Sequence, residues 1–335
     1  MKVLITGGLG FVGSNFIKLL IRKRPEYELI NVDKIGIGSN PANLRDIENN
    51  RQYTFIKGDI CNPQLMNRLA HQADVIINFA SETRVDRSIA DPNIFLQNNT
   101  LGTFTLLEAM RRHSHAARLI QISTAEVYGE TSKGSFTEES PLKPSNGYSA
   151  SKAAADMFVL SHQKTFGLNA SIIRCSKNFG IYQMPEKLIP KTIIRAMRDL
   201  PLPIYGESNC ARDWINVEDH CEAVLRVLEK GKAGEIYNVS AGNHITDLEL
   251  VKKIVSLLKK SENLITFVED HPRFDLNCSI DSSKIREDLG WKPEFGFEES
   301  LEATVHWYLE NERWWSSFAT DVILHPTPWK LGGLH

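Results

Sequence analysis

Short apolar runs alternate with amphipathic stretches through the first half of the chain. The stretches between the runs place apolar side chains three and four residues apart, as Phe16, Leu19 and Leu20 are, and this spacing forms one face of an α-helix. Such alternation predicts a parallel sheet covered by helices. Six buried strands are expected, over residues 2–6, 28–32, 53–57, 75–79, 118–123 and 169–174.

The pattern changes after about residue 180, where prolines cluster and the segments become shorter. We therefore predict a doubly wound α/β domain over residues 1–180. Residues 181–335 are expected to form mainly a smaller α/β lobe, with some segments returning to the first domain. Helices are predicted over residues 148–166, 217–229, 246–259 and 297–311.

Composition and charge narrow the class of protein. The chain has 335 residues with a net charge of -2, which argues against nucleic acid or an anionic membrane as a partner. The first residues, MKVLITGG, fit a strand better than a signal peptide. Five scattered cysteines without a CxxC pair predict free thiols in a cytoplasmic protein and argue against a metal site. They are Cys61, Cys175, Cys210, Cys221 and Cys278.

A glycine-rich turn follows the first predicted strand and opens the first predicted helix. Residues 6–14 read TGGLGFVGS, with Gly7, Gly10 and Gly13 at the positions where a pyrophosphate-binding turn needs small residues. Asp33 ends the second strand, and a carboxylate there binds ribose hydroxyls and repels a 2′-phosphate. The pattern predicts a Rossmann-type domain that binds NAD rather than NADP. Asp59, after the third strand, either reaches the adenine or serves as a turn residue.

A second pattern lies on the helix predicted over residues 148–166. Tyr148 and Lys152 are four residues apart and share one helix face. An ammonium beside a phenol is expected to lower the tyrosine pKa and make a base for a sugar hydroxyl. The alternative is two helical neighbours without a shared role. Thr124 and Glu126 follow the fifth strand, where Glu126 serves as acid or base, or only caps a loop.

Longer runs add to these motifs, and together they resemble one family. The runs are TGGLGFVGS at 6–14, VDRSI at 85–89, YSASK at 148–152, YQMPEKLIP at 182–190, RDW at 212–214 and VEDH at 217–220. With them the chain resembles the extended short-chain dehydrogenases/reductases, and among these the nucleotide-sugar 4,6-dehydratases of the dTDP-glucose type, over almost its whole length. The resemblance implies a homodimer that pairs helices around residues 92–111 and 148–166.

The resemblance also implies a reaction. Tyr148 takes the C4 hydroxyl proton while the C4 hydride passes to NAD, with Thr124 and Lys152 positioning the hydroxyl and the phenolate. Glu126 then removes the C5 proton as water leaves C6, and the hydride returns to C6. The implied cofactor contacts are Gly7, Gly10, Phe11, Val12, Gly13, Asp33, Asp59, Ile60, Ala80, Tyr148 and Lys152. The implied sugar-nucleotide contacts are Arg87, Ser88, Asn178, Glu186, Lys187, Leu188, Arg212 and Arg273.

One departure from the family pattern bears on the chemistry. The family has Thr-Asp-Glu after the fifth strand, and this chain has Thr124-Ala125-Glu126. The missing Asp is the residue expected to protonate the departing C6 hydroxyl, and general acid help is worth about 100- to 10,000-fold. A bound water, or Glu126 carrying its proton across, are two ways to replace it. Otherwise the enzyme is a UDP-sugar 4-epimerase or a UDP-sugar-acid decarboxylase; a non-catalytic NAD-binding regulator is the alternative from another class.

Three further departures cluster near the expected substrate. Lys177-Asn178 replaces Asn-Asn, Thr83-Arg84 replaces Ser-His, and residues 271–275 read HPRFD where Arg-Pro-Gly-His-Asp is expected. The phosphate-binding arginine is therefore Arg273 or is missing. These changes predict a sugar or nucleotide unlike dTDP-glucose. For Arg212, the alternative to phosphate binding is a surface ion pair with Asp213 or Glu218.

Overall fold

The computed structural model describes residues 1–113, 117–131, 134–206, 211–269 and 278–331. The strands are β1 (Lys2–Thr6), β2 (Glu28–Asp33), β3 (Tyr53–Lys57), β4 (Val75–Asn78), β5 (Arg118–Thr124), β6 (Ala170–Cys175), β7 (Lys177–Phe179), β8 (Leu202–Tyr205), β9 (Ala211–Asn216), β10 (Ile236–Val239), β11 (Asn243–Thr246) and β12 (Ile265–Val268).

The helices lie between these strands and after them. They are α1 (Phe11–Lys23), α2 (Pro63–Ala70), α3 (Val85–Ala90), α4 (Asn93–Phe95), α5 (Gly102–His113), α6 (Gly147–Phe166), α7 (Leu188–Met197), α8 (Val217–Lys230), α9 (Asp247–Leu257), α10 (Ser283–Leu289), α11 (Phe297–Glu310), α12 (Glu312–Trp315) and α13 (Asp321–Leu324). A π-helical stretch, Leu96–Leu101, joins α4 to α5, and a 3₁₀ turn, Ala125–Tyr128, follows β5. None of the described helices has both the length and the apolar character needed to cross a membrane.

Seven parallel strands form the main sheet, in the order β10-β6-β5-β4-β1-β2-β3. Alternate side chains of β1 enter opposite faces: Val3 packs in the core that contains Phe16 of α1, and Leu4 packs in the core that contains Leu107 of α5. The predicted doubly wound α/β fold is confirmed. The strand order reverses between β1 and β4, which is where such sheets bind ligands.

The carboxyl-terminal half builds two small sheets, β11-β9-β7 and β12-β8, and also contributes β10 to the main sheet. A core that includes Phe179, Trp214 and Tyr308 holds this second lobe together. The loops that follow β5 and β6 run between the two lobes. Since Thr124 pairs with Cys175 at the ends of these strands, the residues that follow each strand lie side by side.

Candidate active site

A cavity of about 440 Å³ lies at the carboxyl ends of the main-sheet strands and is lined by residues of both lobes. It collects nearly all the residues that the sequence assigns to the site. The predicted cofactor residues on its wall are Gly7, Gly10, Phe11, Val12, Gly13, Asp33, Asp59, Ile60 and Ala80. The predicted catalytic and sugar-nucleotide residues on its wall are Thr124, Glu126, Tyr148, Lys152, Arg87, Asn178, Glu186, Lys187, Leu188 and Arg212.

One described residue of the predicted site falls outside this group. Among the described members of the predicted site, Ser88 alone does not line the cavity. Its hydroxyl donates to the Val85 carbonyl oxygen at 2.7 Å, inside α3, because a helical serine readily bonds backward to its own helix. Arg273 lies outside the described residues.

The glycine-rich turn is shaped for close contact on one side of the cavity. Gly7 has φ +71°, and a Cβ there would lie 2.6 Å from the Ala80 backbone. A Cβ on Gly13 would lie 2.5 Å from the Gly7 carbonyl oxygen. Gly10 precedes α1 without a side-chain cap, so the first amides of α1 are left for an anion. The turn therefore fits a dinucleotide pyrophosphate.

Asp33 is fixed beside this turn. Its carboxylate accepts hydrogen bonds from the Leu9 and Ile35 amides at 3.1 and 2.8 Å, and from the Ser39 hydroxyl at 2.8 Å. The side chain is buried against the cavity wall, where an anion can meet ribose hydroxyls. Asp59 is both a turn residue, since it accepts from the Cys61 amide at 2.8 Å, and a wall residue.

Tyr148 and Lys152 project from the first turns of α6, which begins one residue before the predicted start. Asn146 and Ser149 form a reciprocal capping box there, so the start of the helix is fixed by side chains that hydrogen-bond its free amides. The Lys152 ammonium donates to the Ile122 carbonyl oxygen of β5 at 2.6 Å. These contacts hold both side chains at the end of the sheet.

The expectation that Lys152 lowers the pKa of Tyr148 is wrong. Burial raises the pKa of Tyr148 well above its ordinary value, the nearby Glu126 carboxylate raises it further, and a hydrogen bond with Thr124 only partly offsets them. The Lys152 ammonium points to a backbone carbonyl instead. Burial also lowers the pKa of Lys152 to about 8. Losing water around the phenolate is the dominant effect on the Tyr148 pKa.

Glu126 faces the same cavity and has a partner that the sequence did not assign to it. The Lys177 ammonium donates to its carboxylate at 2.5 Å. Burial favours the neutral acid, but Lys177, with Arg212 and Lys187, outweighs burial, so the pKa of Glu126 lies below its ordinary value. Glu126 is thus a buried, ionised carboxylate on the cavity wall.

Arg212 is buried and does not form either of the surface pairs considered from the sequence. Its guanidinium holds both carboxylate oxygens of Asp247, with nitrogen–oxygen distances of 2.9 and 3.3 Å. The pair lies on the cavity wall. This two-point pairing fixes the plane of the guanidinium at the cavity wall.

Two other residues predicted to contact the sugar nucleotide are held by buried side chains next to them. The Asn178 side-chain oxygen faces Nδ1 of the buried His220 at 3.0 Å. Burial lowers the pKa of His220 to about 4, so the ring is neutral at neutral pH and donates from Nδ1 to Asn178. Arg87 pairs with the buried Glu82 at 3.3 Å. Both arrangements fix polar side chains at the wall before any ligand arrives.

Arg84 stands out among the buried cations of the cavity. It is 4 % exposed, and its nearest carboxylate oxygen, on Glu186, is 3.7 Å away. Nε and Nη2 have no hydrogen-bond partner among the described residues. A buried guanidinium with free donors on a cavity wall is suited to an acceptor-rich ligand.

The sequence prediction named neither Lys177 nor Arg84 as a site residue. Both replace uncharged or weakly basic residues of the family pattern, and Lys177 comes two residues after β6. The position of Lys177 after a parallel strand is a usable signal, because ligands bind at those strand ends. Asp247 and His220 carry no such signal, since neither follows a strand of the main sheet.

The chain is similar in sequence to known proteins over most of its length. A model of the family described as GDP-mannose 4,6 dehydratase matches residues 4–304. A dTDP-glucose 4,6-dehydratase of Streptomyces niveus is 40% identical, with 94% of this chain and 95% of the relative covered. The dTDP-glucose 4,6-dehydratase of Haemophilus influenzae is 43% identical, with coverage of 93% and 98%.

Solved structures share the fold. The dTDP-glucose 4,6-dehydratase DesIV of Streptomyces venezuelae, with NAD and TYD bound, superposes with a TM-score of 0.93 at 38% identity, covering 95% of this chain and 100% of that one. A UDP-glucose 4-epimerase of Thermotoga maritima gives a TM-score of 0.86 at 26% identity, with coverage of 93% and 100%. The likeness in sequence is therefore greater to the dehydratase than to this epimerase.

Proposed function

Because the chain belongs to the GDP-mannose 4,6-dehydratase family, we propose that it is a NAD-dependent hydro-lyase that converts a nucleoside-diphosphate hexose into its 4-keto-6-deoxy form. One observation carries the proposal: a single cavity holds the Tyr148 phenol, the Glu126 carboxylate and the glycine turn. The reaction needs a site for C4 oxidation and a base for C5 within reach of one sugar.

The glycine turn and its surroundings would hold the cofactor. The free amides of α1 would bind the pyrophosphate, Asp33 would bind a ribose, and Ile60 and Ala80 would form an apolar wall. When bound, NAD supplies a reversible acceptor for the C4 hydride and a positive charge on the nicotinamide ring. That charge favours the phenolate form of Tyr148, which burial alone disfavours.

The chain's own residues hold and move the protons. Tyr148 takes the proton of the C4 hydroxyl, and Thr124, which lowers the pKa of the phenol, orients that hydroxyl. Lys152 keeps its ammonium against the Ile122 carbonyl oxygen, on the same helix face. Once C4 is a ketone, the C5 proton is acidic, and the ionised Glu126 removes it.

Glu126 is the reason to prefer dehydration. A 4-epimerase or a decarboxylase needs the Tyr148 base but no base at C5. Here the Lys177 cation keeps a buried carboxylate ionised inside the cavity, and burying a charge without a use for it is costly. The stronger likeness to dTDP-glucose 4,6-dehydratases agrees with this choice.

The second lobe is proposed to bind the nucleotide part of the substrate. Glu186, Lys187 and Leu188 line the cavity on the segment that precedes and starts α7, and we assign them to a pyrimidine base. We assign Arg212 and Asn178 to the diphosphate. A charged donor such as Arg212 suits phosphate oxygens better than a neutral donor does.

The enzyme is also proposed to be a homodimer through two neighbouring helical segments. Met157, Phe158 and Phe166 on α6 are 39–47% exposed. Leu96 and Leu101 on the π-helical stretch are 57% and 48% exposed. An exposed apolar surface of this extent favours a symmetric contact between copies. A Met157→Glu/Phe158→Glu variant should sediment as a monomer while the native chain sediments as a dimer.

We also propose that the enzyme is cytoplasmic. The four described cysteines, Cys61, Cys175, Cys221 and Cys278, are free thiols. Free thiols are usual in a reducing compartment such as the cytoplasm.

Product mass tests the proposed function directly. The protein, loaded with NAD, is incubated separately with dTDP-, UDP- and GDP-hexoses, and products are weighed by mass spectrometry. Loss of one water from at least one substrate, with solvent deuterium at C5, supports the dehydratase. An isomer of unchanged mass, or loss of carbon dioxide from a sugar acid, overturns it in favour of the epimerase or the decarboxylase.

A further inference from the structure

Lys177 and Glu126 form an ion pair where the loops after β5 and β6 meet. The Lys177 ammonium is 2.5 Å from the Glu126 carboxylate although the residues are 51 positions apart in the chain. Strand pairing of Thr124 with Cys175 brings Ala125-Glu126 and Ser176-Lys177 next to each other. All of these residues line the cavity.

We propose that Lys177 is the general acid that protonates the departing C6 hydroxyl, the task for which Ala125 has no suitable side chain. The inference rests on the proposed dehydratase function. C5 and C6 are bonded neighbours, so a base that reaches the C5 proton has its own hydrogen-bond partner within reach of the C6 oxygen. Lys177 is that partner.

The other cations near Glu126 are engaged elsewhere. Lys187 donates to the Thr83 carbonyl oxygen at 2.7 Å, Lys152 donates to the Ile122 carbonyl oxygen, and Arg212 holds Asp247. An arginine is also unsuited to giving up a proton. The Lys177 side chain keeps 35% of its surface exposed, so it can regain a proton from water after each turnover.

The step balances in atoms and charge. The C5–H bond breaks, its proton goes to the Glu126 carboxylate, and its electron pair forms the C5–C6 double bond. The C6–O bond breaks with its electron pair on oxygen, and a proton from the Lys177 ammonium completes a water molecule. Glu126 regains its charge when it returns a proton to C5 as the hydride returns to C6. Lys177 is left as an amine and takes a proton from solvent, which offsets the C4 hydroxyl proton that leaves through Tyr148.

Three variants separate proton donation from charge. Lys177→Met removes the acid and the charge. Lys177→Arg keeps the charge beside Glu126 but holds its protons too tightly to donate one. Lys284→Met is the matched control, because Lys284 also lies 2.5 Å from a glutamate, Glu235, and is 25% exposed outside the cavity.

Two substrates are compared for each variant: the hexose that the native enzyme dehydrates, and its analogue with fluorine in place of the C6 hydroxyl. Fluoride leaves without prior protonation. We expect both Lys177 variants to eliminate water about 100-fold more slowly than the native enzyme, or worse. Lys177→Arg should nevertheless eliminate fluoride from the analogue at a rate within tenfold of the native rate. Build-up of reduced nicotinamide with the natural substrate would show that C4 oxidation persists.

Other outcomes overturn the proposal. A Lys177→Arg enzyme that eliminates water at the native rate would show that only the charge matters, with Glu126 or water supplying the proton. Equal losses of water and fluoride elimination would reduce Lys177 to a positioning residue for Glu126. Failure of the native enzyme to dehydrate any sugar nucleotide would instead remove the proposed function itself.

Discussion

The two walls of the cavity are built differently. On the cofactor wall, Gly7, Gly10 and Gly13 come from one turn. Asp33 accepts hydrogen bonds from an amide of that turn and from an amide and a serine hydroxyl that follow Asp33 closely in the chain. On the sugar wall, buried charges are paired between distant segments, as Glu126 is with Lys177 and Arg212 is with Asp247.

This difference shows where the chain has room to vary. A pyrophosphate needs backbone amides at close range, so the cofactor wall is constrained by shape. The sugar wall is a set of ion pairs in which a new charge is accepted if its partner is near, because an unpaired buried charge is costly. The departures from the family pattern at Ala125, Lys177 and Arg84 all lie on the sugar wall.

The largest effect is expected where the walls meet. Tyr148→Phe removes the base for C4, so kcat should fall by about 100- to 10,000-fold, with no build-up of reduced nicotinamide. Tyr53→Phe is the control, since Tyr53 is as buried as Tyr148 but lies in β3, away from the cavity. Stopped-flow absorbance measures this; a Tyr148→Phe enzyme that still reduces its cofactor would contradict the assignment.

The next effect concerns stability on the sugar wall. The neutral His220 has a pKa of about 4 in the folded protein, against 6.5 ordinarily. Between these values only the unfolded chain takes up the proton, so the protein loses stability as pH falls from 6.5 to 4. The contribution is about 3 kcal/mol.

Denaturant unfolding of His220→Gln against the native chain, across that pH range, measures it. The native chain should lose about 3 kcal/mol that the variant keeps. Parallel stability curves would show that His220 is not buried as a neutral ring, and the sugar wall would then be less tightly built than we describe.

A smaller effect is expected for substrate binding. Arg84→Met removes the free donors of a buried guanidinium, and hydrogen bonds to charged groups contribute about 1.5–3 kcal/mol. KM should rise at least about tenfold with little change in kcat, as for lost uniform binding. Arg118→Met is the control, because Arg118 also has an unpartnered Nε but lies at the start of β5. Equal KM values for the two variants would remove Arg84 from the ligand site.

The smallest effect belongs to the cofactor wall. Asp33→Asn removes the charge but keeps a side-chain acceptor, so NAD should bind about tenfold more weakly, which is about 1.4 kcal/mol, and NADP should bind better. Asp219→Asn is the control, since Asp219 also accepts from two backbone amides, those of Glu294 and Phe295. Calorimetry with both nucleotides measures the change; an unchanged preference for NAD would contradict the role of Asp33.

The sequence predicts the cofactor wall better than it predicts the sugar wall. The strands of the main sheet and the glycine turn are encoded by consecutive residues, and the predicted strand over residues 53–57 coincides with β3. The partner of Glu126 is not encoded locally, because it depends on which loops the sheet order brings together. The direction of the Tyr148 pKa was missed for a related reason, since burial is a property of the packed whole.

The proposed mechanism depends most on Glu126 removing the C5 proton in the cavity where Tyr148 takes the C4 hydroxyl proton. A single turnover of the NAD-loaded Glu126→Gln enzyme with its hexose substrate tests it most directly, against Glu138→Gln, an equally buried glutamate outside the cavity. We predict that the Glu126 variant reduces its cofactor and stops there, without loss of water or deuterium uptake at C5, while the control completes the reaction. Water loss at the native rate from the Glu126 variant would contradict the account.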